Sequence, residues 1–261
     1  MRVELKQWSF GELIGLTFSL ALAHMPKLLA IGFVCGLPAL LMRFVLFGVL
    51  SEPGASPSRA AAVGGITLVL LIISVVVYSF EQAANILILS GSFTEKEYTI
   101  PEALRVGLRK MGPILAFSFT SGLVVMLGFL LFIVPGLVFM TWFYVGVPVI
   151  VLEDRPAAAA MTRSRELSAG HRWQLFGFIF IMVILVGVVT NLIDYLFEQL
   201  LGLNVLSTTL GWAVQIVAYV FSSSAPVVYY FHLRVTKEAL DVEKLSNLVG
   251  AIEERAQAAP A

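Results

Sequence analysis

Apolar positions in this chain come in long blocks, with neither the alternation of a half-buried strand nor the 3.6-residue stripe of a soluble helix running through them. Six stretches approach or exceed the roughly 20 residues that a helix needs to cross bilayer hydrocarbon. They are Leu28 to Leu50, Ala62 to Leu89, Pro113 to Ile133, Gly136 to Leu152, Trp173 to Ile193 and Val205 to Phe231. The third and fourth would fuse into one overlong helix but for Val134, Pro135 and Gly136, a turn signal that allows a span in each direction. The second is longer than a bilayer requires, so it tilts or projects into the headgroups. This pattern predicts an all-α, polytopic membrane bundle of six transmembrane helices.

Three shorter segments carry a helical stripe instead. Ser9 and Glu12 make a capping box ahead of Phe10, Leu13, Ile14, Thr17, Phe18 and Ala21 on one face. Thr99 and Glu102 make another, with Pro101 in the first turn and Ile100, Ala103, Leu104, Gly107, Leu108 and Met111 as the stripe. Asp154 and Pro156 fit a helix start and Gly170 a C-terminal cap around Ala157, Ala160, Met161, Ser164, Leu167 and Ser168. Each segment leads through a proline or a basic residue into a pair of apolar runs. The expectation is one transmembrane domain over 1–231, built as three parallel units at 9–90, 99–152 and 154–231, each a surface helix plus a hairpin. Inverted repeats, common in secondary transporters, have a different layout. Residues 232–261 read as an amphipathic cytoplasmic helix, with Val235, Val242, Leu245, Val249 and Ile252 among mixed charges, and a frayed end from Gln257.

Composition places the chain firmly in the membrane class, since 59% of its 261 residues are apolar and only 13% charged. Net charge is zero, which gives no argument for nucleic acid or an acidic partner. The distribution of charge is more telling. Arg2, Lys6 and Lys27, then Lys96, Arg105, Arg109 and Lys110, then Arg155, Arg163, Arg165 and Arg172, then Arg234, Lys237, Lys244 and Arg255 all fall on one side of the six-span layout. Arg43 and Arg59 alone fall on the other. Basic residues accumulate in cytoplasmic loops, so both termini are expected in the cytoplasm. Cys35 is the single cysteine, which excludes an intramolecular disulfide and a cysteine zinc cluster. Ala21, Leu22 and Ala23 resemble a signal-peptidase site, but Glu12 interrupts the apolar region that such a signal needs, and the N-terminus is expected to stay uncleaved.

Pro156, Ala160, Met161, Ser164, Leu167, Gly170 and Trp173, with Val134 to Leu137 and Val149 to Glu153 upstream, form a pattern. It resembles that of bacterial six-helix membrane proteins related to the membrane domain of glycerophosphodiester phosphodiesterases. The resemblance covers about Val134 to Phe176 and departs at Arg165, where the pattern carries an aromatic. It implies a six-helix domain in a bacterial inner membrane and no activity, because the phosphodiesterase chemistry belongs to a separate soluble barrel that this chain does not contain.

Candidate chemistry is sparse. His24, His171 and His232 each flank a membrane boundary, where the expected role is anchoring. No nucleophile elbow, phosphate-binding loop or metal-spaced ligand set appears, so neither an enzyme nor a cofactor or metal site is expected. Intramembrane polar groups are the better clues, being expensive in hydrocarbon. They are Arg43, Glu81 with Gln82 and Asn85, and Asn191 with Asp194 and Glu198 on one helix face. Arg43 is expected either to pair with Asp194 or Glu198 or to reach the outer headgroups, and Glu81 either to line a polar cavity or to emerge into water. Gly32 and Gly36 form a GxxxG pair, read as packing within the bundle.

Two functions follow from these features. In the first, the protein is a non-enzymatic inner-membrane protein that engages anionic lipid, a protein partner or a second copy of itself through basic interfacial helices. Its contacts would be Arg105, Arg109, Lys110, Arg155, Arg163, Arg165 and Arg172. In the second, it carries a lipid or small amphiphile by means of the intramembrane polar residues.

Overall fold

A computed structural model describes residues 2–50, 56–94, 96–202 and 204–238. Among these the chain forms only helices: α1 (Phe10–Cys35), α2 (Leu37–Leu50), α3 (Pro57–Thr94), α4 (Ile100–Leu131), α5 (Ile133–Phe143), α6 (Gly146–Leu152), α7 (Ala157–Ser168), α8 (Arg172–Val183), a π-helical turn (Ile184–Val188), α9 (Val189–Leu201) and α10 (Val205–Glu238). Six helical stretches are long and apolar enough to cross a membrane: Phe10–Cys35, Ala61–Thr94, Ile100–Leu131, Ile133–Leu152, Arg172–Leu201 and Val205–Glu238. The protein is an all-α, multi-pass helical bundle.

The first unit departs from the expected layout. A surface helix near residues 10–21 and a separate span from Leu28 were expected, yet α1 runs unbroken through Pro26. Its buried positions Leu13, Thr17, Leu20, Leu28, Ile31 and Gly32 keep one helical phase on both sides of the proline, so there is a single face to bury and no reason to break. Neighbouring helices make an internal proline tolerable in such a setting. The discontinuity falls at Gly36 instead, and it is slight: Gly36 N–H still reaches the Gly32 carbonyl at 2.7 Å and Leu40 N–H reaches Gly36 at 3.1 Å. In the second unit, α4 likewise continues through Pro113. Both capping boxes form, with Glu12 accepting from Ser9 N–H at 2.7 Å and Glu102 from Thr99 N–H at 2.8 Å.

Only the third unit keeps a separate surface helix. Asp154, in a left-handed conformation with φ of 54°, turns the chain into α7, and Gly170 at φ of 84° turns it out into α8. The fourth span is divided, α5 ending at Phe143 and α6 starting at Gly146. The turn between the third and fourth spans lies at Phe132, the single extended residue between α4 and α5, and not at Val134 to Gly136. Pro135 is accommodated because it falls in the first turn of α5, where its missing N–H has no intrahelical partner to lose. At the other end α10 runs past the predicted boundary at Phe231 to Glu238, and the remainder of the predicted tail helix lies outside the described residues.

The core occupies one end of the bundle. Ala83–Leu89 of α3, Pro148–Leu152 of α6 and Val227–Phe231 of α10 are buried together with Leu13 and Leu20 of α1 and with Ala160 and Leu167 of α7. Away from this end Ile66–Val75, Phe119–Leu131 and Val183–Leu196 carry many exposed large apolar side chains, the surface that hydrocarbon would solvate.

Candidate functional site

Between α8, the π-helical turn and α9 on one side and α10 on the other lies a cavity of about 440 Å³. Gln215, Tyr219 and Ser222 stand on one face of α10 at spacings of four and three, and Ile179, Met182 and Val183 face them from α8. Thr190 and Asn191 complete the wall. Both fold their polar atoms back onto the π-helical turn, Thr190 Oγ1 donating to Val186 at 2.8 Å and Asn191 Nδ2 to Gly187 at 2.7 Å. A π turn widens the helix locally and recurs at binding sites. The cavity is therefore apolar on its α8 wall and carries the polar side chains of Gln215 and Ser222 on its α10 wall.

One end of the cavity is tied by charge. Arg43 Nη2 on α2 stands 3.6 Å from Asp194 Oδ2 on α9, and Gln215 Nε2 donates to the same oxygen at 3.2 Å. Gly211 makes the approach possible, since a Cβ there would collide with the Asp194 carboxylate. Glu198 is exposed on the same helix, so of the two expected partners it is Asp194 that Arg43 meets. Behind Tyr219, α3 contributes Glu81 and Asn85, both buried, with Gln82 half-buried beside them. Glu81 Oε1, both polar atoms of the Asn85 side chain and the Tyr219 hydroxyl are buried together and form no well-aligned hydrogen bond among the described residues. Gly32 and Gly36 bring α1 close enough to seal this group: a Cβ on Gly32 would meet Ile216 at 2.8 Å, and Trp212 Nε1 donates to the Gly36 carbonyl at 3.0 Å. The GxxxG pair thus serves packing inside the bundle.

Comparison with known protein families, with curated proteins and with solved structures gives no match.

At the basic end the seven cations expected at the lipid surface divide into groups. Glu153, whose side chain is only 6% exposed, collects Arg155 Nε at 2.9 Å, Arg163 Nε at 3.0 Å and Arg234 Nη1 at 3.0 Å, and accepts from the Tyr230 hydroxyl at 3.1 Å. Burial alone would push its carboxyl up, but Arg163, Arg234 and Tyr230 outweigh that and hold it below the usual carboxylate range. Glu238 is bound by Arg163 and Arg234, each at 2.5 Å, and Lys110 pairs with Asp154. Arg163, Lys110 and Arg155 therefore face carboxylates of their own chain. Arg105 and Arg109 lie exposed on α4. Arg165 and Arg172 lie over the ring of Trp142, with guanidinium carbons 4.3 Å and 5.0 Å from its centroid.

The histidines differ from expectation in one respect. His24 reaches Ser92 Oγ at 2.7 Å near the end of α3, as a boundary residue should, but His232 is buried against Trp8 and Tyr229. Gln215, Tyr219, Ser222 and Trp142 were not anticipated. The first three are visible in hindsight as polar positions spaced by one helical turn inside an apolar run.

Proposed function

We propose that this chain is a non-enzymatic integral membrane protein that binds and carries a small amphiphile in the cavity between α8–α9 and α10. The observation that supports this reading is the division of the cavity wall. Gln215 and Ser222 offer hydrogen-bonding groups to a polar group, while Ile179, Met182 and Val183 offer an apolar surface to a chain. Val183 and Asn191 on its rim are exposed, which suits entry from the lipid phase. The reading extends to topology: the basic end, with both termini, belongs in the cytoplasm, and the resemblance in Val134 to Phe176 suits a bacterial inner membrane.

The test is mass spectrometry of what copurifies after gentle extraction. Wild type is expected to retain one class of amphiphile, Ser222→Phe to lose it by filling the cavity, and Gln215→Leu to retain less. Identical profiles from all three proteins, each still showing cooperative unfolding, would end this reading. Labelling of a single cysteine at position 154 in a Cys35→Ser background checks the orientation, with modification expected only from the cytoplasmic side.

The reading in which basic helices engage anionic lipid rests on fewer residues than expected, because Arg163, Lys110 and Arg155 are held by carboxylates. One observation favours it, the pair of arginines over Trp142.

A further inference from the structure

We infer that the groove between α5 and α8 is a binding site for one anionic phospholipid, whose acyl chain lies along the groove and whose phosphate sits on Arg165 and Arg172. The groove has a volume of about 250 Å³ and an almost wholly apolar lining. Leu137, Val138 and Thr141 of α5 form one wall, Trp173 and Phe176 of α8 the other, and Arg172 closes one end. It shares no residue with the cavity of the proposed function, so the two sites stand or fall separately.

Charge at this end decides the headgroup. Glu153, Glu238 and Asp154 are already paired, with Arg155, Arg163, Arg234 and Lys110. Arg165 and Arg172 have no ion-pair partner among the described residues, and neither does Lys237, whose amine donates to the Glu166 carbonyl at 2.6 Å close to Arg172. Arg165 and Arg172 thus carry positive charge with no salt-bridge partner among the described residues, while Lys237 lies in the field of Glu166 and Glu238. Two donors at the same place are unused as well: Arg172 Nε and Trp142 Nε1 are buried without a hydrogen-bond acceptor. A group made of acceptor oxygens and carrying negative charge answers all of these at once, and a planar guanidinium suits a phosphate better than an ammonium does. Trp142 attracts both guanidiniums to its ring face by cation–π interaction.

The apolar groove selects a lipid over a soluble phosphate. It opens to the outside of the bundle beside Trp173, which is 86% exposed and of the residue type that settles at the headgroup level. A phosphate on the arginines would place the attached glycerol at the mouth of the groove and one chain inside it. A zwitterionic headgroup would bring its own cation next to Arg165 and Arg172.

The experiment uses the full chain in mild detergent, titrated with phosphatidylglycerol, phosphatidylcholine or glycerol phosphate and followed by tryptophan fluorescence and by lipid retention through detergent exchange. Wild type is expected to bind phosphatidylglycerol about tenfold more tightly than phosphatidylcholine, and glycerol phosphate negligibly. Arg165→Gln with Arg172→Gln is expected to abolish that preference, whereas Lys6→Gln keeps it. Val138→Phe, which fills the groove and leaves the cations in place, is expected to weaken both lipids together and provides a second reading should the double variant not fold. Equal affinity for the two lipids, glycerol phosphate competing as well as lipid, Val138→Phe binding like wild type, or Lys6→Gln losing as much as the double variant would each overturn the proposal.

Discussion

The basic end of the bundle and its opposite end are built from similarly apolar helices but held together differently. At the basic end α3, α6 and α10 bury continuous runs of residues against one another, and Glu153 links the α6–α7 turn to α7 and α10 through three arginines and a tyrosine. Small residues make this closeness possible, as Gly107 lies against the Phe80 carbonyl and Gly146 against the Phe117 ring. At the opposite end the helices present their large side chains outward, Gly64 and Gly65 have open space around them, and Arg43 and Asp194 form an ion pair. Hydropathy does not distinguish the two ends. Whether helix or lipid covers an apolar face is decided by side-chain size and by polar ties, since hydrocarbon solvates leucine as well as a neighbouring helix does.

The comparison is broken most severely at its tightest point. Glu153→Gln leaves Arg163 and Arg234 half-paired in a buried place and is expected to lower stability in detergent by about 3 kcal/mol, read as an earlier thermal transition. Its pH dependence has a definite sign. The carboxyl titrates lower folded than unfolded, so its contribution is fully present above the ordinary glutamate value of about 4.3 and is lost as pH falls through the lower, folded value. Wild type should therefore lose stability in acid below about pH 4 more steeply than the variant. Gly146→Ala forces a methyl into the Phe117 ring and is expected to lower stability by about 1–3 kcal/mol, measured in the same way.

Changes at the other end should be milder. Arg43→Met removes a pair that is partly exposed on both sides and is expected to lower stability by about 1 kcal/mol. A double cycle with Asp194→Asn assigns that loss to the pair only if the two effects fail to add. Gly64→Ala meets nothing within 4 Å and is expected to raise stability by up to about 1 kcal/mol. Glycine replacements of opposite sign at positions 146 and 64 would be the sharpest expression of the contrast, and the same sign at both would erase it.

Much of this architecture is legible along the chain. Block hydropathy reveals six helices because the need to satisfy every backbone group inside lipid leaves little alternative. Caps are legible because Ser9, Glu12, Thr99 and Glu102 act through their own neighbours. What local pattern misses is settled by distant partners. Pro26 and Pro113 look like boundaries in isolation and are not, because α1 and α4 have continuous faces to bury. Arg163 and Arg165, two residues apart on α7, look equivalent as surface cations, yet one turns to Glu153 and Glu238 and the other to Trp142. Small and turn-forming positions around α7 are readable as packing: Ala160, Ser164 and Leu167 are buried and Gly170 adopts a positive φ. The cavity was only half visible, its Asn191 and Asp194 side evident as charge and amide in an apolar run, its Gln215, Tyr219 and Ser222 side hidden within a longer helix.

Phe132 has a consequence for biosynthesis. With one extended residue separating α4 from α5, and Gly128 and Gly136 so close that a Cβ on the first would come within 2.9 Å of the other's Cα, the two helices share a single hinge and have no slack. Such a pair is expected to enter the lipid as a hairpin, and a few flexible residues inserted beside Phe132 are expected to let the two halves partition one after the other.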